Sequence, residues 1–131
     1  MTAIARIIAV AGVLAASGCG PRERLNGTYQ GVRPFTVPKG GDPFVARQLA
    51  TVRLTVKPDG TADLSDGGVP LGGRIEYGGD GASFVPLTVA GVSVDRQKPE
   101  LAEAYQAKLQ PNPDGSWVYK GALVLKKVAA P

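Results

Sequence analysis

Ala50-Thr51-Val52-Arg53-Leu54-Thr55-Val56-Lys57 is the stretch that decides the fold. Val52, Leu54 and Val56 share one side of an extended chain, and Thr51, Arg53, Thr55 and Lys57 share the other. That period of two belongs to a strand with one face in a core and the other in water. Pro58-Asp59-Gly60 follows, with a proline to preset φ and a glycine to tolerate a positive one, so the chain turns. Thr61 to Ser65 then returns with Ala62 and Leu64 on the apolar side. The unit is a β-hairpin.

The same grammar extends in both directions. Downstream, the turn Asp66-Gly67-Gly68-Val69-Pro70 leads into Leu71–Tyr77, where Ile75 and Tyr77 oppose Arg74 and Glu76. Gly78-Gly79-Asp80-Gly81 turns again, and Ala82–Val94 reads as one or two strands, with Pro86 marking an edge or a bulge. Upstream, Gly27–Val32 is an opening strand and Pro38–Pro43 a mobile loop. Pro99–Leu109 reads two ways. Pro99 and Glu100 suit a first helical turn, with Leu101, Tyr105 and Leu109 four residues apart. Tyr105, Ala107 and Leu109 also alternate with Gln106, Lys108 and Gln110, so the stretch divides into a helical turn over Pro99–Ala104 and a strand. After the turn Pro111-Asn112-Pro113-Asp114-Gly115, Trp117–Val128 reads as one long final strand. Its inward face carries Trp117, Tyr119, Gly121, Leu123 and Leu125; its outward face carries Val118, Lys120, Ala122, Val124 and Lys126. The expected fold over residues 27–128 is all-β, a small antiparallel β-barrel or sandwich of about seven or eight strands with one short helical turn.

Composition narrows the chemistry. At 131 residues there is room for one domain, and 18 Gly with 11 Pro mark a body rich in turns. The formal charge of +4 is spread among 11 acidic residues, and no basic run exceeds Lys126-Lys127, so no nucleic-acid surface is expected. The chain has no His, which removes imidazole bases, Ser–His or Cys–His nucleophile pairs and His metal ligands. A single Cys forbids an internal disulfide.

That cysteine has a telling position. Met1–Arg6 is a short n-region with one positive charge, Ile7–Ala16 an uncharged apolar run, and Ser17-Gly18 the small pair before Cys19. Ten residues of helix rise only about 15 Å, half a hydrocarbon core, so the run is a cleaved signal peptide (residues 1–18) rather than a span. Leu14-Ala15-Ala16-Ser17-Gly18-Cys19 resembles the lipobox of bacterial lipoproteins. Ala16 stands where the family prefers Leu. The alternative is an ordinary signal cut that leaves a free thiol. The resemblance implies a diacylglyceryl group on Cys19, and two acyl chains hold a protein stably on a membrane where one does not. Gly20 is not the Asp that retains some lipoproteins at the inner membrane, so the resemblance points to the outer membrane of a diderm cell, facing the periplasm. Residues 19–26 then form the lipidated end and its tether, with Pro21-Arg22-Glu23-Arg24 as a polar spacer.

The body also carries a resemblance. Gly27-Thr28-Tyr29-Gln30-Gly31, Pro58-Asp59-Gly60-Thr61 and Asp114-Gly115-Ser116-Trp117 look like the opening, central hairpin and closing strand of small lipocalin-like (calycin) barrels found in bacterial lipoproteins. One such group, the copper-resistance lipoproteins, has a Cys-x-x-Cys pair. This chain has none, so neither copper nor thiol chemistry carries over.

Several groups of residues bear on chemistry. Asp59, Asp63 and Asp66 invite a calcium reading, but the spacing misses the alternate ligands and terminal Glu of an EF-hand loop, so they read as turn and surface carboxylates. The glycine clusters lead into strands, not helix N-termini, and are turns rather than phosphate cradles. Ser116 with Lys120, or Ser93 with Lys98, has no distinctive spacing. Asp63, Glu76, Asp80 and Asp95 could work as acid and base only if the fold gathers them. Trp117 and Tyr119 are the candidates for a ligand or partner contact; alternatively they fill the core. The expected function is non-catalytic and needs no cofactor or metal: a binding or structural module of the cell envelope, held to the membrane through Cys19. Its partner would be an envelope protein or a small apolar ligand. The alternatives are a lipocalin-like carrier of a small apolar ligand and a small envelope hydrolase. A hollow barrel would favour the carrier.

Overall fold

The structure is a computed structural model that describes residues 24–128. The signal peptide, Cys19 and the start of the tether lie outside the described residues. The strands are β1 (Gly27–Val32), β2 (Thr51–Val56), β3 (Thr61–Asp66), β4 (Val69–Gly78), β5 (Gly81–Val89), β6 (Val92–Ser93), β7 (Ala107–Pro111), β8 (Trp117–Tyr119) and β9 (Leu123–Lys127). Two helices interrupt them, α1 (Pro43–Ala50) and α2 (Pro99–Tyr105), with a 3-10 turn at Val94–Arg96.

Eight strands run β4-β3-β2-β1-β9-β8-β7-β5, all antiparallel, and β5 pairs back onto β4. The sheet is therefore a closed barrel, which removes the open edges a sandwich would have had to protect. β6 is a two-residue tab on the end of β5.

The alternation that announced β2 does what it promised: Val52 and Leu54 are fully buried and Val56 nearly so. Ala62, Leu64, Ile75, Ala107, Leu109 and Leu125 follow the same inward phase. Pro86 sits at a bulge: β4–β5 register shifts so that Gly72 and Gly73 oppose Thr88 and Pro86, leaving Leu87 as the extra residue. Closure needs a close approach at Gly31. A Cβ built there would stand 2.5 Å from the carbonyl oxygen of Val124 on β9, so only glycine lets the last strand lie against the first.

Three expectations are corrected. The final stretch is not one strand. Tyr119–Ala122 forms a turn, with φ of 53° at Lys120 and 73° at Gly121, closed by the Ala122 N–H donating to the Tyr119 carbonyl at 3.1 Å. Trp117 pairs with Leu125 and Tyr119 with Leu123. An odd number of residues lies between paired positions, so the inward facing of Trp117, Tyr119, Leu123 and Leu125 survives the turn while Gly121, expected inward, stands exposed at its tip, and the periodicity could not reveal it.

Second, the helical content is two short helices rather than one turn. The later one matches the expectation almost residue for residue, whereas α1 fills the stretch between the expected loop, which ends at Pro43, and the expected strand, which begins at Ala50. Asp42 caps α1 by accepting the Phe44 N–H at 2.9 Å, and Pro43 occupies its first turn. Only Ala50 of the helix is buried, so its apolar residues do not pack on the barrel, and its eight residues are shorter than the span over which helical periodicity stands out in a sequence.

Third, the packed body begins before β1. Leu25, assigned by sequence to the tether, is 4% exposed and joins the core. Its N–H donates to the Tyr77 hydroxyl at 3.0 Å, and the Asn26 N–H donates to the Tyr29 hydroxyl at 3.1 Å.

The alternating strand directions give the barrel two unlike ends. The end where the chain enters at Leu25 carries only the short turns after β2, β4 and β7. The opposite, distal end carries both long connections, Arg33–Ala50 with α1 and Ala90–Gln106 with α2.

Candidate functional site

Trp117 and Tyr119 are 2% and 1% exposed, members of the same core cluster as Phe84, Leu54, Leu64 and Leu109. The structure thus places both aromatic candidates in the core and not on a surface. A ligand inside the barrel would have to displace them. Cys19, the lipidation candidate, lies outside the described residues.

The other constellations disperse. Asp59 accepts from the backbone N–H and hydroxyl of its turn neighbour Thr61, at 2.9 and 2.7 Å. Asp63 lies on the outer wall 3.5 Å from Lys57, and Asp66 turns to the distal mouth. Three carboxylates so scattered hold no calcium, and no group of three His, Cys, Asp or Glu among the described residues could hold a metal. The Ser116 hydroxyl donates to Asp114 at 2.6 Å, whereas the Lys120 ammonium donates to the Ala104 carbonyl at 3.1 Å, so each is engaged elsewhere. Glu76 is engaged by Arg74 at 2.7 Å on the outer wall.

What the fold does bring together lies at the distal mouth. Arg33 leaves the end of β1, Asp66 ends β3 and Tyr119 ends β8. The Arg33 guanidinium donates to both carboxylate oxygens of Asp66, at 2.7 and 3.2 Å, and the Tyr119 hydroxyl donates to Asp66 Oδ2 at 2.7 Å. Burial works against the Asp66 charge, but the bonds from Arg33 and Tyr119 outweigh it and hold the carboxyl below its ordinary pKa. Burial first, then the bond to Asp66, pushes the Tyr119 hydroxyl well above the ordinary tyrosine value. The bond to Asp66 likewise raises Arg33. The network seals one end of the barrel while keeping the Arg33 side chain 38% exposed.

Above this seal is a groove of about 530 Å³ between the extended segment Arg33–Pro38 and α1. Its walls are Phe35 and Pro38 on one side and the Val45, Ala46 and Leu49 stripe on the other, with Arg33 at the base. Val45, Ala46 and Leu49 recur at helical spacing, so α1 is amphipathic toward this groove and not toward the barrel. Phe35, Val37, Phe44, Val45 and Leu49 are all exposed, Phe44 by 67% and Leu49 by 62%. The connection that carries them joins two paired neighbours, which a loop of about 2–5 residues would serve. Its length and apolar exposure set it apart from the short turns that join most neighbouring strands.

Sequence reasoning missed this surface. Asp42-Pro43 was a legible helix start, and Phe35, Val37, Phe44, Val45 and Leu49 were legible as apolar residues outside any strand. Their exposure was not.

The comparisons with known proteins leave the site to be read from its own geometry: no family model matches the chain, and neither a curated protein nor a solved structure is detectably similar to it.

Proposed function

We propose that this chain is a lipid-anchored protein of the cell envelope, tethered through Cys19, whose barrel is a rigid pedestal for a binding surface at the distal end. The reading is non-catalytic. The observation that carries it is the Arg33–Ala50 connection: an exposed apolar groove on a rigid wall, at the end opposite the one where the chain enters. If Cys19 carries the lipid, five residues separate it from Leu25 in the barrel floor, a reach of at most about 20 Å. The distal groove would then face away from the membrane.

The filled interior argues against the lipocalin-like mode of carriage, in which the ligand sits inside the barrel. The dispersed carboxylates, and the separate engagements of Ser116 and Lys120, weigh against the hydrolase.

The test is in intact cells producing the full chain. A photoreactive residue at position 49 should give an adduct of defined mass on irradiation, and one at position 53 on the outer wall should not. Equal labelling at both positions, or none at position 49, would remove the distal surface as the binding site. Mass spectrometry of the membrane fraction tests the anchor separately.

A further inference from the structure

We propose that a depression on the outer wall, over β7 and β8, binds an acidic saccharide through Lys108 and Lys120. It is a second site, on the side of the barrel, and does not depend on the distal groove.

The barrel sorts charges that the chain scatters. The outward positions of β7, β8 and β9 hold Lys108, Gln110, Val118, Val124 and Lys126, with no acid among them. The acids that stand on strands of the outer wall, Asp63 and Glu76, are on β3 and β4, where Lys57 and Arg74 pair with them. Lys108, Lys120 and Lys126 have no such partner among the described residues.

Two of these lysines stand side by side. The Lys120 N–H donates to the Lys108 carbonyl at 2.9 Å, which sets the two residues opposite each other on neighbouring strands. Like charges so placed repel, and an anion between them turns the repulsion into two attractions. With Gln106 and Gln110 they line a depression of about 400 Å³ whose walls hold no acid. Glu103 on α2 and Asp114 after β7 are the nearest acids in sequence. Neither lines the depression, and Asp114 accepts from the Ser116 N–H and hydroxyl at 3.0 and 2.6 Å. The Lys120 ammonium is positioned in advance by its bond to the Ala104 carbonyl at 3.1 Å in the last turn of α2, and an ammonium has two further N–H donors.

Charge selects an anion, and the carboxamides select its kind. Gln106 and Gln110 each offer donors and an acceptor, which suits hydroxyl groups that both give and take a hydrogen bond. A single-stranded nucleic acid would need aromatic faces on which to stack its bases, and the rings of β8, Trp117 and Tyr119, are in the core. A sugar that carries a carboxylate among its hydroxyls meets both the lysines and the glutamines.

The experiment titrates the full chain with trigalacturonate, neutral cellotriose, the cationic glucosamine trimer and inorganic phosphate, read by calorimetry and backbone amide shifts. Trigalacturonate should bind at least about tenfold more tightly than each of the others, with shifts centred on residues 106–121. Its affinity should fall as salt is raised. Lys108→Gln should weaken trigalacturonate by about fivefold or more and leave circular dichroism unchanged, because Lys108 is exposed. Lys120→Gln should weaken it likewise, but it also loses the bond to Ala104, so Lys108→Gln is the deciding variant. Lys39→Gln removes the same charge from the distal connection and should change the affinity by no more than about twofold. Equal affinity for the three saccharides, phosphate bound as tightly as trigalacturonate, equal losses in Lys108→Gln and Lys39→Gln, or no binding would each overturn the proposal. None of these outcomes touches the distal surface, which stands or falls with the adduct at position 49.

Discussion

Asp66→Ala removes the one acceptor shared by Arg33 and Tyr119 at the distal mouth of the barrel. Three hydrogen bonds disappear, two from the guanidinium at 2.7 and 3.2 Å and one from the hydroxyl at 2.7 Å. The two losses weigh differently. Arg33 is 38% exposed and can recruit water, so its share is that of a screened surface pair, about 0.2–1 kcal/mol. Tyr119 is 1% exposed and loses its acceptor in a dry setting, which costs about 1–3 kcal/mol. The variant should therefore be less stable by about 1–4 kcal/mol, mostly through the tyrosine, with Tm lower by about 5–20 °C. Urea melts of Asp66→Ala, Tyr119→Phe and the double variant form the decisive cycle. Once the hydroxyl is gone, removing its acceptor should cost less, so the double variant should fall short of the sum by about 0.5–3 kcal/mol. The acid limb supplies an independent check. The folded pKa of Asp66 is lowered, so its contribution is present above the ordinary value of about 3.9 and is lost as pH falls through the lowered one. Asp66→Asn should flatten that limb. Additivity within about 0.3–0.5 kcal/mol, or an Asp66→Ala variant as stable as its parent, would refute the shared-acceptor account.

Other outcomes follow from the same geometry. Trp117 is the chain's single tryptophan and 2% exposed, so its emission should be that of a buried indole and Trp117→Ala should cost about 3–5 kcal/mol in a thermal melt; water-exposed emission would be incompatible with a filled barrel. In alkali, Tyr119 should stay protonated in the folded protein well beyond the ordinary tyrosine pKa. Its raised pKa gives stability that is full below about 10 and lost as pH climbs beyond, which absorbance of tyrosinate against pH would follow. Gly31→Ala should destabilise the closure by more than about 1 kcal/mol, because backbone at Val124 and not a flexible side chain stands in the way; a neutral melt would show that β9 can give. Mass spectrometry of the membrane fraction should find an acylated peptide beginning at Cys19, and Cys19→Ala should block that processing; an unmodified N-terminus elsewhere would exclude the anchor.

How much of this was written in the chain can be argued residue by residue. Val52, Leu54 and Val56 announced β2 because an extended backbone alternates its side chains whatever lies around it, and Pro58-Asp59-Gly60 announced the turn because φ preferences are local. The facing of Trp117, Tyr119, Leu123 and Leu125 was legible on the same ground, and it survived even though the strand carrying them was broken by Lys120 and Gly121. The start of α2 was legible from Pro99. These are properties of neighbours along the chain, and sequence alone determined them.

Closure was not of that kind. Whether eight strands make a barrel or a sandwich depends on β5 finding β4 and on β9 fitting against Gly31, contacts between residues far apart in sequence whose geometry no local pattern encodes. Leu25 looked like tether because nothing near it marks it as core; the barrel core takes its side chain, and Tyr77, far along the chain, accepts a bond from its N–H. The apolar residues of α1 point the same way. The spacing of Val45, Ala46 and Leu49 is in the sequence, but whether that stripe packs on the barrel or lines an open groove is decided only by the tertiary structure. The meeting of Arg33, Asp66 and Tyr119 was likewise decided by the barrel, because a shared hydrogen-bond acceptor exists only where three separate strands end at one mouth.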